Sequence, residues 1–287
     1  MSSLRFTTTT PARGPPLHVV KVANNVQEAG ACTDYTSFMN RKHALLGMAS
    51  LAGGIGVAST FLTASASGAN PTGAAAPQRG KALKPPANGP VRVGIIIGPS
   101  LVAIDAFGPY AAFRAANVAA DRAQSSPLFD FFLVAKTTDP IDIDGLQLKP
   151  QYSFDDAPQP QVIVVPNQQP FPETVAYVKR ASRRADVTMA VCTGAFIVAQ
   201  AGLFNGLRAT THHLAYDAFA QSYPRVTLLR GPKYVEEPNV SSTGGETSGF
   251  DLALRVVERY YGADTARQAA YMMEYRRIDR PQNAAEV

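Results

Sequence analysis

Short runs of β-branched residues alternate with helix-like segments from Val91 onwards, and this alternation constrains the fold most. VRVGIIIG (91–98) is followed by Pro99, and VIVV (162–165) and VTMAV (187–191) repeat the pattern. Continuously apolar runs of this length are typical of parallel strands buried on both faces. Helices between such strands cover both sides of a sheet. The sequence therefore predicts an α/β fold with a mainly parallel sheet.

The remaining elements follow from residue periodicity and from turn residues. Further strands are predicted at 129–135, 146–152, 226–229 and around Val240, and helices at 105–119, 172–185, 193–201, 248–261 and 264–276. In open parallel sheets, ligands bind beyond the carboxyl ends of the strands. Three such ends carry polar or reactive residues, at 98–105, 166–170 and 192–194. They meet at one edge if their strands are neighbours.

Cys192 lies where the 187–191 run gives way to a helix-like segment. Ala190 and Gly194 flank it, and small residues at these places are typical of a nucleophile elbow, where the backbone is crowded. The helix amino terminus that follows favours a thiolate. The alternative interpretation is a small buried core cysteine.

Asp105 stands in an otherwise apolar entry to the first predicted helix, LVAIDAF (101–107). Asp is a preferred helix N-cap, which is one interpretation. The other is a general acid and base beside the sulfur, with its pKa raised by removal from water.

The first ninety residues differ in composition from the rest. Residues 1–38 have no sustained period, and either they are a disordered leader or Met39 is the true start. Residues 39–66 have the basic head, the apolar run and the A-x-A end of an export signal, with Arg41-Lys42 close to a twin-arginine pair. We expect export to the periplasm or the exterior; an uncleaved membrane anchor is the alternative. Residues 67–90 read as a flexible linker.

The charge and the cysteine content argue against a nucleic-acid-binding protein and against a disulfide-stabilised one. The net charge is +5, but +3 of it comes from residues 1–66, where five basic residues face two acidic ones. The predicted folded domain is close to neutral, so we expect no nucleic-acid partner. Of the two cysteines, Cys32 and Cys192, the first lies in the leader. No disulfide framework is expected in the domain.

We expect no metal and no cofactor. His212 and His213 are adjacent and point in different directions, with no third ligand at useful spacing. His212 is interpreted as a wall of the pocket, and Glu246 as a solvated acid at a helix entry. Gly244-Gly245 lacks the lysine of a phosphate-binding loop.

Four stretches together resemble the ThiJ/PfpI family of the class I glutamine amidotransferase-like superfamily, within it the isonitrile hydratase branch. They are IDAFGPYAAF, VIVVP, AVCTGAFIVAQAGLFNGLRATTHH and VSSTGGETSGFDLAL. The resemblance places a domain at 91–278, with 279–287 as a tail. It implies a three-layer flavodoxin-like sandwich, a homodimer, Cys192 on the elbow and an acid at Asp105 in contact with it.

The chain departs from the family at three places. Many members carry a histidine base directly after the cysteine. This chain has Thr193 there, as the isonitrile hydratase branch does. Asn167-Gln168-Gln169 replaces a Gly-Gly turn that helps to form an oxyanion hole, and His213 replaces a tryptophan. The residues expected in the substrate pocket are Gly194, Asn167, Gln168 and His212.

The resemblance implies a lyase in which Cys192, Asp105 and Thr193 add water to an isonitrile-type small molecule. Two alternatives stay open. One is a non-enzymatic sensor that uses an oxidisable Cys192, and the other is a glyoxalase-like or amidase-like enzyme. After signal cleavage, we expect no stable membrane span.

Overall fold

A computed structural model of the protein describes residues 80–277. Its centre is a seven-stranded sheet in the order β10-β11-β7-β6-β1-β2-β5, in which only β10 pairs antiparallel, with β11. The strands are β1 Val91–Ile96, β2 Phe129–Ala135, β3 Ile141–Ile143, β4 Leu146–Leu148, β5 Tyr152–Ser153, β6 Val162–Val165, β7 Val187–Ala190, β8 Arg208–Ala209, β9 Thr227–Leu228, β10 Tyr234–Glu236 and β11 Val240–Thr243. The helices are α1 Ala103–Arg122, α2 Pro172–Ala181, α3 Gly194–Gln200, α4 Tyr216–Ser222 and α5 Ser248–Met272.

The prediction of a mainly parallel sheet between helices is confirmed. All residues of β6 and β7 are buried, because helices cover both faces of the sheet there. On one face, alternate residues of β1, among them Val93 and Ile95, join a core cluster with α1 and α5. On the other, α3 lies against β6 and contacts α2. No helix between residues 80 and 277 is long and apolar enough to cross a membrane.

The structure differs from the predicted elements in one run that divides and in short elements that were not predicted, among them β3, β8, β10 and α4. The 146–152 run divides into β4 and β5, which belong to different sheets. Helix α4 was not predicted, because seven residues are too few to establish a helical period. The two helices predicted at 248–261 and 264–276 are confirmed, because the α5 span is divided at Gly262, whose backbone is not helical and whose φ is 87°. A positive φ of this kind suits glycine.

The three marked strand ends meet, because β1, β6 and β7 are neighbours. Val93 pairs with Val162 on one side of β6, and Val162 pairs with Val187 on the other. All three strands run in the same direction, so their carboxyl ends share one edge of the sheet.

Several expectations fall on residues that the structure does not describe. The leader at 1–38 with Cys32, the export signal at 39–66, the first part of the linker and the 279–287 tail all lie outside residues 80–277. The end of the predicted linker is described, and it is bonded to the domain. Leu83 donates its N–H to the Arg259 carbonyl at 2.7 Å and packs against the core. The folded unit thus includes residues ahead of Val91.

A buried ionic cluster holds this segment at the sheet edge opposite the marked strand ends. The Glu236 carboxylate, fully buried at the end of β10, pairs with Arg255 at 3.2 Å and with Arg259 at 3.3 Å. The same two guanidinium groups donate to the Gly80 and Lys81 carbonyls. A Cβ at Gly80 would overlap the Glu236 carboxyl, so the chain passes here only as glycine.

Replacing the buried acid tests the cluster. Glu236→Ala leaves two guanidinium groups without their shared carboxylate, and we expect a loss of roughly 3–5 kcal/mol in the free energy of unfolding. Denaturant unfolding measures it. Glu173→Ala, which breaks the exposed Lys136–Glu173 pair at 2.6 Å, is the control and leaves the unfolding midpoint nearly unchanged. Equal losses in both variants would contradict the assigned role.

Candidate active site

Cys192 lies on a tight turn between β7 and α3, with φ at 58°. Its N–H donates to the Gly244 carbonyl at 3.1 Å and to Thr243 Oγ1 at 3.3 Å. Its carbonyl accepts a hydrogen bond from Thr211 Oγ1 at 3.0 Å. A left-handed backbone costs a non-glycine residue roughly 1–3 kcal/mol and persists only when its surroundings hold it. Here the bonds from β11 and from the loop after β8 hold it.

Gly194 is required by the close approach of α3 to the end of β6. A Cβ there would overlap the carbonyl oxygens of Val165 and Pro166. Gly194, which was predicted to line the pocket, therefore has a structural role. Because it has no side chain, α3 can lie close to β6 and the turn at Cys192 can form.

Asp105 is in the first turn of α1 and does not cap the helix, because the N-cap residue is Val102. The Asp105 carboxyl is fully buried. Its Oδ2 accepts a hydrogen bond from the Asn167 N–H at 3.2 Å, while Oδ1 has no hydrogen-bond partner within residues 80–277. The structure thus excludes the capping interpretation.

The Asp105 carboxyl and the Cys192 thiol interact, and each changes the pKa of the other. Burial raises the pKa of Asp105 to about 7. The hydrogen bonds from the Asn167 N–H and from the thiol lower this pKa, but by less than burial raises it. The pKa of Cys192 rises to about 12, through burial first and then through the nearby Asp105 charge. Near neutral pH the Cys192 thiol therefore keeps its proton, while the Asp105 carboxyl is partly ionised.

The expected thiolate is not what the surroundings favour. The N–H groups of Thr193 and Glu246 lower the pKa of the thiol, as a helix amino terminus should. Burial and the carboxylate outweigh them. Helix α3 has only seven residues, so its terminus is a weak counterweight.

Glu246 contributes a backbone group that the sequence analysis missed. Its side chain is exposed before α5, as expected, but its N–H reaches the sulfur from the loop after β11. The predicted strand near Val240 was a usable signal, since β11 lies beside β7 and its end reaches the same edge.

Thr193 and His212 are two further residues that the sequence predicts for the site. Thr193 is buried, and its Oγ1 has no hydrogen-bond partner in the described part of the chain. His212 lies edge-on to Gly245, and its Nδ1 accepts the Leu214 N–H at 3.3 Å. Burial and the neighbouring His213 lower the pKa of His212, so the ring is neutral with its proton on Nε2. Among residues 80–277 no His, Cys, Asp and Glu cluster has the arrangement of a metal site.

The turn at Asn167-Gln168-Gln169 is bonded to the loop after β1. The Val102 N–H donates to the Asn167 carbonyl, and the Gln169 N–H donates to the Pro99 carbonyl. Since the Asn167 N–H is bonded to Asp105, two of the three turn amides are already used. Gln168 was predicted to line the substrate pocket. Its side chain is buried, and its Nε2 donates to the Ile96 carbonyl.

The charge on Asp105 is expected to suppress the thiolate. In Asp105→Asn that charge is removed and the pKa of Cys192 falls. Alkylation of Cys192 by iodoacetamide at pH 9 then becomes about tenfold faster for each pH unit of the fall. Peptide mapping separates Cys192 from Cys32. Asp121→Asn, an exposed acid at the other end of α1, is the control. Alkylation that is equally fast or slower in Asp105→Asn would contradict the inference.

Comparison with known proteins identifies relatives of this chain. Isonitrile hydratase from Pseudomonas putida is 32% identical over 195 residues, which cover 64% of this chain and 78% of that protein. The HTH-type transcriptional regulator CdhR from Pseudomonas aeruginosa is 32% identical over 107 residues, and the chain spans 32% of its length. The crystal structure of a ThiJ/PfpI family protein from Pseudomonas syringae superposes with a TM-score of 0.58 at 27% identity, covering 68% of this chain and 79% of that one.

Residues 91–259 match the DJ-1/PfpI family, a stretch that includes Asp105, the 167–169 turn and the Cys192 elbow. The match, the parallel sheet and the relatives agree, and the chain belongs to the DJ-1/PfpI family.

Proposed function

We propose that this protein is a cysteine-dependent hydratase that adds water to an isonitrile and releases an N-substituted formamide. The observation that carries the proposal is the buried pair of Asp105 and Cys192, which interact with no imidazole between them. Thr193 occupies the position beside the sulfur. The 32% identity to an isonitrile hydratase, over most of that protein's length, supports the same reaction.

An isonitrile suits this pair because its terminal carbon first accepts a nucleophile and then a proton. With its pKa at about 7, Asp105 is partly ionised at neutral pH and can take the thiol proton as sulfur attacks. A bond forms between Sγ and the isonitrile carbon. Asp105 then returns the proton to that carbon, and the product of this step is a thioimidate, R–N=CH–S–Cys192.

Water completes the reaction. Asp105 accepts a proton from the water as its oxygen bonds to the thioimidate carbon, and it passes that proton to the nitrogen, which gives R–NH–CH(OH)–S–Cys192. The carbon–sulfur bond then breaks as the carbonyl forms, the hydroxyl proton passes through Asp105 to the sulfur, and R–NH–CHO leaves. The sum is one isonitrile and one water consumed and one formamide released, with the enzyme unchanged.

The backbone N–H groups of Thr193 and Glu246 stabilise negative charge on the sulfur during both steps. Within residues 80–277 the Thr193 hydroxyl is buried without a hydrogen-bond partner, at a cost in free energy that a bound substrate nitrogen or the attacking water would remove. Thr193 therefore acts as the hydrogen-bonding group that orients the reacting atoms.

Turnover of cyclohexyl isocyanide by the purified protein tests the proposal. Cys192→Ala is expected to lower kcat/KM roughly 1000-fold or more, and Asp105→Asn roughly 100- to 10,000-fold. Formamide release is followed by chromatography. Cys32→Ser changes the second cysteine and is the matched control, with full activity expected.

Two results would overturn the proposal. One is full activity in Cys192→Ala. The other is binding of the isocyanide by the native protein without any formamide, which would indicate a ligand-binding domain instead, as the similarity to transcriptional regulators allows.

The rate is expected to depend on the ionisation of Asp105. Because the carboxylate must be free to accept the thiol proton, kcat/KM should rise about tenfold per pH unit below pH 7 and level off above it. In Asp105→Asn the residual rate should lose this rise. A native profile that falls as pH increases through 7 would show that the acid form is needed at the outset.

A further inference from the structure

The turn between β6 and α2 contains a buried glutamine with no evident place in the reaction. Gln168 is 6% exposed, although the residues on either side of it are more accessible. Its Nε2 donates to the Ile96 carbonyl, at the end of β1, at 3.2 Å. A buried carboxamide costs free energy unless it is bonded, so this bond and the buried position depend on each other.

Gln168 also fills a space that glycine leaves open. Its Oε1 lies against Gly98, so closely that a Cβ at Gly98 would overlap it. The Gln168 side chain is therefore held between the end of β1 and the residue after it. Its backbone is held in turn, because the flanking residues are bonded to the same loop: Val102 to the Asn167 carbonyl at 3.1 Å and Gln169 to the Pro99 carbonyl at 3.3 Å.

The position of the turn also determines a hydrogen bond to Asp105. The Asn167 N–H, one residue before Gln168, donates to Asp105 Oδ2 at 3.2 Å. It is the one hydrogen bond to this carboxyl from the 167–169 turn, and it is directed by the orientation of a single peptide unit. A change in the turn of a few tens of degrees would remove it.

We propose that Gln168 is a positioning residue: its buried carboxamide locks the 167–169 turn against β1 so that the Asn167 N–H stays on the Asp105 carboxylate. Its catalytic meaning rests on the proposed function, but its effect on Asp105 does not. In this arrangement the turn stabilises the Asp105 carboxylate. The Thr193 and Glu246 N–H groups stabilise the charge that develops on the substrate and the sulfur.

The electrostatic result is a carboxyl that stays available as a base. The titratable groups that act on Asp105 are the Cys192 thiol, from the elbow, and Glu246, from the loop before α5; the Glu246 charge raises the pKa of Asp105. The Asn167 N–H opposes burial and lowers that pKa. Without the N–H, Asp105 would stay protonated to higher pH and accept the thiol proton less readily.

Two variants disturb the lock from opposite sides. Gln168→Gly removes the carboxamide, and Gly98→Ala places a methyl group where Gln168 Oε1 lies. Gln169→Gly is the matched control: it is the same substitution one residue on, at an exposed side chain whose Nε2 is 3.4 Å from Ser100 Oγ. The control shows the effect of glycine flexibility alone.

The readout is the ¹³C NMR titration of the Asp105 carboxyl in the full chain, assigned by its absence in Asp105→Asn. Both lock variants should raise the pKa of Asp105 by about one pH unit, the equivalent of one hydrogen bond to a charged group. Gln169→Gly should leave it in place. The acid limb of kcat/KM with cyclohexyl isocyanide should move upward by the same amount, with kcat affected more than KM.

An unchanged Asp105 titration in Gln168→Gly would overturn the proposal, and so would an equal rise in Gln169→Gly. If Gly98→Ala does not fold, as judged by near-ultraviolet circular dichroism, Gln168→Gly and its control decide the matter. A shifted titration in a protein without isonitrile turnover would keep the positioning role of Gln168 and reject the proposed reaction, so the two failures are distinguishable.

Discussion

A carboxyl and a thiol lie buried together beyond the ends of β1 and β7, and much of the surrounding structure serves to keep them there. Asp105 is fully buried and Cys192 is 4% exposed. Burial makes the charged form of each expensive, and the proximity of the two makes simultaneous ionisation more expensive still. A partly ionised carboxyl beside a protonated thiol is the chemical resource of this site, and it requires no histidine.

Keeping the pair in place has a cost that neighbouring elements offset. The left-handed backbone at Cys192 is held by hydrogen bonds from its N–H to Thr243 and Gly244 and from Thr211 to its carbonyl. Gly194 allows α3 to lie against the end of β6. The β10-β11 pair connects this region to the opposite edge of the sheet, where Glu236 and two arginines fasten the chain ahead of β1. The site therefore lies at one end of the sheet, and the segment that precedes β1 is held at the other end.

The 167–169 turn directs its hydrogen-bonding groups towards the protein. In this chain the amides of Asn167 and Gln169 are bonded inward, and a side chain fills the space next to Gly98. These contacts leave the Gln168 N–H as the one amide of the turn without a hydrogen bond within residues 80–277.

The sequence by itself determined the layer architecture and the elbow. Buried β-branched runs allow few arrangements other than strands covered on both faces, and small residues around Cys192 allow a sharp turn. These are local properties, and they were predicted without coordinates. Short elements such as α4 and β10 were not, because two to seven residues carry too little periodicity.

Tertiary structure alone decided the electrostatics. The order of β1, β6 and β7 brought Asp105 to Cys192, and the burial that resulted reversed the expected preference for a thiolate. The same order brought the Glu246 amide to the sulfur and turned Gln168 inward. A pKa and a hydrogen-bond partner depend on what surrounds a group in space, and residues distant in the chain supply those surroundings.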